Sequence, residues 1–282
     1  MIFTNILKKI IISISLALLF GQQDIDLIKQ KEINPPQEEI IENKEVIEEP
    51  EVETVIEEKK EVSTPPKKAS KQKVETQKNW WSYPTDIKPT KRHGDDLLVL
   101  VNKEYVLSAD YVPADLVSAA KSGIRKGNQH MVRNIVIADL TELVKAANND
   151  GIDLSIRSGY RSYSTQVSTY QYWLRYNNKV ADNADKVSAR AGHSQHQLGT
   201  AIDFSTSEIQ DGIGGRFHTT KAAKWLEENA WCYGFVISFP QGYESVTGYN
   251  YESWHYRYIG KDNALEMINS GKILEVYLRE KN

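Results

Sequence analysis

The chain has 282 residues and one cysteine, Cys232, so it can form one or two domains with a core but no intramolecular disulfide and no Cys-rich zinc ribbon. Its net charge of −3 originates in residues 22–78, which hold 15 of the 38 acidic but only 10 of the 35 basic residues, whereas residues 79–282 hold 23 of each. The balanced charge of this second part argues against nucleic acid as a partner, because such binding needs clustered Lys and Arg.

The N-terminal segment 1–21 is typical of an export signal. Lys8 and Lys9 precede an uncharged apolar run over residues 10–20, which is shorter than the roughly 20 residues of a bilayer-spanning helix. The residues before Gln22 form a weak cleavage pattern, so a cleaved signal peptide and an uncleaved anchor are both open. Either one predicts an extracytoplasmic protein whose membrane contact is limited to this segment.

Residues 22–79 predict a disordered, charged linker. The segment alternates Glu, Lys, Val, Ile and Pro, holds five of the nine prolines and has no glycine or aromatic residue. It buries too little apolar surface to offset the entropy of ordering it. We expect a spacer, although the lysines at its basic end could also contact an anionic surface: Lys67, Lys68, Lys71 and Lys73.

Residues 80–282 predict a single α+β domain. Strands or extended segments are expected at 97–107, 152–157, 200–205, 235–239 and 254–259, and helices at 129–149, 164–176 and 219–230. The first helix has apolar residues at helical spacing: Val132, Ile135, Val136, Leu140, Leu143 and Val144. Helices and strands that alternate with short links are typical of one domain of about 200 residues.

Several residues are expected to be structural. Trp254, Tyr256 and Tyr258 alternate along one strand and should pack in the core. Cys232 is interpreted as a small buried apolar residue. Four further histidines are expected to bind no metal: His93, His130 and His218, which do not belong to a charged constellation like that of the three motifs, and His193, interpreted as a surface residue or as support behind the site.

His196 and Asp203 could converge on one metal ion. Gly199 between them permits a tight turn, and Asp203 lies on a short strand. Zinc accepts imidazole nitrogen and carboxylate oxygen, and its catalytic sites use three protein ligands. The best candidate for the third is His255, because Glu252 lies three residues before it and could pass a proton from the attacking water to the leaving amine.

These spacings alone do not decide whether the residues bind a metal ion. A His and an Asp seven residues apart also occur by chance, and a histidine in an aromatic strand is often a hydrogen-bonded core residue. The absence of a nucleophile-elbow motif favours the metal route over a serine nucleophile. At this level a zinc site and a structural cluster are both open.

Three segments together resemble a known family, the zinc D-alanyl-D-alanine carboxypeptidases of the VanY and LdcB type. They are SGYRSYSTQ at 158–166, SQHQLGTAIDF at 194–204 and YESWHYRY at 251–258. The resemblance also includes Tyr111-Val112-Pro113 and covers about residues 95–260. One departure is Ala191-Gly192, where the family often has Pro-Gly, which removes no ligand.

The resemblance implies the roles of individual residues. Zinc would be held by His196, Asp203 and His255, with Glu252 as general base and acid. Arg161 would hold the substrate and the developing oxyanion, and Gln166 and Ser194 would lie near the bound peptide. The implied fold is a Hedgehog/DD-peptidase-like zinc domain, in which a central antiparallel sheet with flanking helices lines the cleft.

The implied function is an exported carboxypeptidase that removes the terminal D-alanine from peptidoglycan stem peptides in cell-wall remodelling, acting as a monomer. The scissile bond could join two D-residues or an L- to a D-residue. A catalytically silent wall-binding module is one alternative. A peptidoglycan endopeptidase or D-Ala-D-Ala dipeptidase using the same site is another.

Overall fold

The computed structural model of this chain describes Asn79–Asn282. The predicted signal segment 1–21, and all of the predicted linker before Asn79, lie outside the described residues. Both therefore stay predictions. Within the described part, no helix combines the length and the apolar character that a bilayer crossing requires.

The described residues form eight short strands and seven helices, with 3-10 turns in some of the connections. The strands are β1 Lys88–Pro89, β2 Tyr105–Val106, β3 Leu116–Ser118, β4 Met131–Arg133, β5 Ser155–Ser158, β6 Ala201–Ser205, β7 Phe235–Ile237 and β8 His255–Tyr258. The helices are α1 Asn134–Asn149, α2 Tyr163–Tyr176, α3 Ala181–Val187, α4 Lys221–Asn229, α5 Glu244–Thr247, α6 Lys261–Asn269 and α7 Leu274–Lys281.

A four-stranded antiparallel sheet lies at the centre of the domain, with strand order β5-β6-β8-β7. Two smaller pairs accompany it, since β1 pairs parallel with β2 and β3 pairs antiparallel with β4. Helices flank the central sheet. The predicted fold class, a single α+β domain with a central antiparallel sheet, is confirmed.

The central sheet has one apolar face and one polar face. Side chains alternate along a strand, so Ile202 and Phe204 of β6 face the core together with Tyr256 and Tyr258 of β8. This face packs against the buried residues of α1 and α4. The predicted core packing is confirmed for Tyr256 and Tyr258, and Trp254, directly before β8, is partly buried against the same cluster. Asp203 and His255 point to the opposite face.

Helix α1 begins later than its apolar spacing predicts. The predicted helix spans 129–149, but Met131–Arg133 instead form β4, which pairs with β3. Val132 is buried on that strand, while Ile135 of the helix is 45% exposed. The predicted helix therefore begins too early, because Val132, a buried strand residue directly before the helix, extends the apparent helical period. The predicted core position of Ile135 is also wrong.

The apolar segment 97–107, predicted to be a strand or an extended segment, contains a turn at residues 97–98 and a bend at residues 102–104, and within it only Tyr105–Val106 pairs as a strand. Arg257 of β8 is fully buried, and its Nη2 donates hydrogen bonds to the carbonyls of Leu97 at 3.1 Å and Val99 at 3.4 Å. A side chain thus satisfies backbone groups that a neighbouring strand would otherwise bind.

Cys232 is exposed, so the prediction that it is buried is wrong. It lies in the 3-10 turn Ala230–Tyr233. Residues three apart eclipse each other in such a turn, and here Ala230 and Tyr233 take the core side. Cys232 between them is therefore directed to solvent.

Substitution of Gly199 should destabilise the domain more than substitution of Gly123, which also has a positive φ. Gly199 has φ +66°, and an added Cβ would lie 3.0 Å from side-chain atoms of Arg133 and Leu116. Gly123 has φ +79° but open space around it. We expect Gly199→Ala to lower the free energy of unfolding by about 2–3 kcal/mol and Gly123→Ala by about 1 kcal/mol. Urea unfolding measures both, and equal losses would contradict the packing argument.

Candidate metal centre and catalytic site

The register of the central sheet brings two predicted ligands together. Asp203 of β6 is directly opposite His255 of β8 in the antiparallel ladder, where opposed side chains lie about 5 Å apart. Nδ1 of His255 is 2.9 Å from Oδ1 of Asp203. The backbone N–H of Ser238 donates to the His255 carbonyl at 3.1 Å, which ties this position to the chain leaving β7.

His196 reaches the same point from the turn that precedes β6. This turn, Gln195–Leu198, ends at Gly199 in the left-handed conformation, which lets the chain reverse directly into the strand. Nε2 of His196 lies 3.1 Å from Oδ2 of Asp203. One ligand atom from each of His196, Asp203 and His255 lies within 4.8 Å of the other two, and all three residues are buried.

The ring nitrogens that face away from this cluster are held by hydrogen bonds. Nδ1 of His196 donates to the Gly159 carbonyl at 2.7 Å. Nε2 of His255 lies 3.3 Å from Oε1 of Gln195, which also accepts a hydrogen bond from the Ser238 hydroxyl at 2.8 Å. Such outer partners fix the tautomer and leave the inner nitrogen lone pair for a metal.

Electrostatics favours the protonation states that a metal requires. Burial alone would raise the pKa of Asp203, but its contacts with the His196 and His255 imidazoles outweigh burial and hold that pKa well below its usual range. Burial lowers the pKa of His196, against the opposing charge of Asp203. A carboxylate and a neutral imidazole are the forms that bind a divalent ion.

The residues fit a zinc ion. Oδ1 of Asp203 is fully buried and faces Nδ1 of His255 at 2.9 Å without a hydrogen bond of normal geometry. A metal ion between the two atoms would relieve the cost of burying this charged oxygen. Two imidazole nitrogens and one carboxylate oxygen match the three protein ligands of a catalytic zinc site, which leaves a fourth position for substrate or water.

Glu252 lies beside the cluster without belonging to it. Its Oε2 is 3.6 Å from Nδ1 of His255, and 16% of its side-chain surface is exposed. Burial, together with the charge of Asp203, raises the pKa of Glu252 well above its ordinary value, while the charge of Arg161 opposes this. A carboxyl group of raised pKa next to a metal site is suited to carry a proton.

Arg161 is held in place by two side chains. Its Nη1 donates to Oε1 of Gln166 and its Nη2 to the Ser158 hydroxyl, both at 3.0 Å. The backbone N–H of Arg161 also donates to the His196 carbonyl at 3.1 Å, which links it to the ligand turn. The guanidinium is therefore pre-oriented and acts electrostatically on both His196 and Glu252.

Gln166 and Ser194, predicted to lie near the bound peptide, are both buried. The Gln166 amide accepts from Arg161 and donates to the Ala189 carbonyl at 2.6 Å. The Ser194 hydroxyl accepts from the backbone N–H of His196 at 3.3 Å. Both side chains thus support predicted site residues from behind, and peptide contact by either stays a prediction.

The remaining histidines do not join the cluster. His193 is buried, with Nδ1 2.7 Å from the Asn102 carbonyl, so it is not a surface residue. His130, expected to be structural, is not one of the clustered ligands. Burial is the main cause of its lowered pKa, but Arg157, Asp203 and Arg161 also act on it, which places it near the site. His93 and His218 are exposed.

Sequence reasoning missed Gln195 and Ser238, which support His255. Gln195 lies between Ser194 and His196, and Ser238 lies just after β7. A polar residue directly before a predicted ligand was the available signal for Gln195. Ser238 gave no signal, because its contact with Gln195 spans 43 residues of sequence.

A single α+β domain with a buried His–Asp–His cluster and a neighbouring glutamate is the architecture of a metal-dependent hydrolase. The family model described as VanY, D-alanyl-D-alanine carboxypeptidase, matches residues 129–261. The protein YodJ of Bacillus subtilis (strain 168) is 33% identical over 228 residues, which cover 77% of this chain and 83% of YodJ. The chain belongs to the VanY D-alanyl-D-alanine carboxypeptidase family, which confirms the resemblance found in the sequence.

Other relatives support the same family. A D-alanyl-D-alanine carboxypeptidase of Enterococcus faecalis (strain ATCC 700802 / V583) is 30% identical, with coverage of 67% of this chain and 69% of the relative. Among solved structures, the LD-carboxypeptidase LdcB has a TM-score of 0.61 and 32% identity, covering 69% of this chain and 93% of LdcB. The vancomycin resistance D,D-pentapeptidase VanY, solved with Zn(II), has a TM-score of 0.54 and 28% identity, and the match covers 66% of this chain and 99% of that VanY chain.

Removal of the Gln195 acceptor should weaken metal binding. Gln195→Leu leaves the Nε2–H of His255 without its partner, and loss of such an outer partner typically costs about 10- to 100-fold in metal affinity. Gln195→Glu keeps an acceptor at the same position and should retain affinity. Competition with a zinc chelator measures both variants. Equal affinities of Gln195→Leu and the wild type would show that Gln195 does not orient His255.

Proposed function

We propose that this protein is a zinc carboxypeptidase that hydrolyses the C-terminal D-alanine of peptidoglycan stem peptides outside the membrane, in cell-wall remodelling. One observation carries the proposal: the side chains of His196, Asp203 and His255 meet at one buried point with Glu252 beside them. Membership of a family named for D-alanyl-D-alanine carboxypeptidases supplies the substrate class. The predicted export signal supports the location, since this substrate lies outside the membrane.

His196 through Nε2, His255 through Nδ1 and the Asp203 carboxylate would hold the zinc ion. Zinc supplies a Lewis acid that polarises the scissile carbonyl and lowers the pKa of a water molecule. The buried, hydrogen-bonded imidazoles keep the ligand set fixed, so little reorganisation is needed during the reaction. Zn(II) in the related VanY structure supports this choice of metal.

Glu252 is assigned the proton transfers. Its carboxylate accepts a proton from the attacking water and delivers it to the amine of the departing D-alanine, so the group begins and ends the cycle ionised. A pKa raised by burial and by Asp203 makes this carboxylate a stronger base than an exposed glutamate. Since a general base must be ionised before it can accept a proton, the rate should fall at acidic pH as Glu252 becomes protonated.

Arg161 is assigned the stabilisation of negative charge on the substrate and in the transition state. Its guanidinium is already oriented by Ser158 and Gln166 before substrate arrives, and a pre-oriented cation stabilises developing charge without reorganising. Gln166, which is buried, would act through Arg161 rather than on the peptide.

The proposal covers both possible types of scissile bond, between two D-residues or between an L- and a D-residue. One related structure is an LD-carboxypeptidase and another a D,D-pentapeptidase, so tetrapeptide and pentapeptide substrates both belong in the assay. A catalytically silent wall-binding module is disfavoured, because such a module has no need for Glu252 beside three intact ligands.

Substitution of Glu252 tests the mechanism. Glu252→Gln keeps the shape of the side chain but cannot accept a proton, so we expect release of D-alanine to fall by about 10² to 10⁴ with unchanged zinc content. Mass spectrometry of digested tetrapeptide and pentapeptide muropeptides measures the rate. Glu228→Gln, an exposed substitution on α4, is the control and should retain full activity. Near-normal rates with Glu252→Gln would overturn this role.

A further inference from the structure

Helix α2 carries a cluster of aromatic side chains at its C-terminal end, named here the aromatic patch: Tyr172, Trp173 and Tyr176. Tyr172 is 40% exposed and Tyr176 52% exposed. The Tyr172 and Tyr176 rings are stacked with centroids 6.3 Å apart, and each packs edge-on against Trp173, at 5.5 and 5.6 Å. The three rings therefore support one another while two of them face solvent.

The two tyrosines of the patch do not lie on the helix face that packs on the domain, whereas the partly exposed Trp173 lies at the edge of that face. That face includes the buried Gln166 and also Tyr170, whose hydroxyl donates to Asp185 of α3 at 2.8 Å. Tyr172 and Tyr176 are four residues apart, and so they lie one above the other on a different side of the helix. Large exposed rings arranged together are a typical feature of a binding surface.

The chemistry of the patch suits a carbohydrate. A tyrosine offers a flat apolar ring with a polar hydroxyl at its edge, and a sugar ring offers a flat C–H face with hydroxyls around its rim. Helix α2 contains no acidic residue and has Arg175 in its last turn. This charge complements a polymer that carries carboxylates and would not repel it.

The patch lies on the helix that begins beside the proposed active site. Helix α2 begins two residues after Arg161, and Gln166 in its first turn holds the Arg161 guanidinium. The rise from Gln166 to Tyr176 is about 15 Å. An extended tetra- or pentapeptide spans about 13–18 Å, so a stem peptide whose C-terminal end lies at Arg161 is long enough to place its sugar-bearing end at the patch.

We propose that the aromatic patch binds the glycan strand to which the stem peptide is attached. This inference rests on the proposed function and deepens it, because it makes the enzyme prefer peptides that are still linked to their sugar. Ring stacking by two tyrosines should favour the linked substrate by about 5- to 10-fold in kcat/KM.

The full chain is compared on four substrates: tetrapeptide and pentapeptide, each free or linked to the disaccharide. The test variant is the double substitution Tyr172→Ser with Tyr176→Ser. The control replaces two similarly exposed apolar residues of α6, Leu265→Ser with Ile268→Ser, which are 46% and 43% exposed. Sedimentation with insoluble peptidoglycan gives a second readout that needs no turnover.

We expect the double tyrosine variant to lose the preference for linked substrate and to sediment less, with unchanged kcat/KM on free peptide. The α6 control should match the wild type. Equal loss on free and linked peptides, or no loss in either readout, would overturn the inference and would fit a patch that serves a protein or a membrane. Failure of the proposed function is distinct, because the wild type would then release no D-alanine from any substrate.

Discussion

The site depends on one constraint, the register between β6 and β8. Pairing of Asp203 with His255 across this ladder brings a carboxylate and an imidazole to 2.9 Å. A slip of one residue would turn Asp203 toward the core and direct Ile202 or Phe204 to the cleft. The apolar face that packs on α1 and α4 therefore also fixes the metal ligands, because the same alternation buries one set of side chains and presents the other.

The neighbouring contacts extend this constraint outward. Gly199 turns the chain so that His196 meets the carboxylate from the adjoining turn, and the Gly159 carbonyl and Gln195 amide orient the two imidazoles. Arg161 is bound by its backbone to the His196 carbonyl and by its side chain to Gln166. Each group assigned to the reaction is thus positioned by the sheet or by a residue that touches it, as electrostatic catalysis requires.

The sequence predicted the parts of the site whose chemistry is visible in residue type and spacing. His196, Asp203, His255 and Glu252 were expected to converge, and the structure places their side chains together. Gln195 and Ser238 were missed, since their role arises from a contact between distant segments. Helices α3, α5, α6 and α7 were also missed, because they are short and lie outside the motifs. The exposed position of Cys232 follows from the phase of a 3-10 turn, which composition does not determine.

X-ray absorption at the zinc edge of the purified, zinc-loaded protein tests the central claim most directly, because it counts the atoms that bind the metal. The account predicts two imidazole nitrogens at about 2.0–2.1 Å, light oxygen donors at about 2.0–2.2 Å for the remaining positions, and no sulfur. A shell with fewer than two imidazoles, or with sulfur at about 2.3 Å from the exposed Cys232, would contradict it.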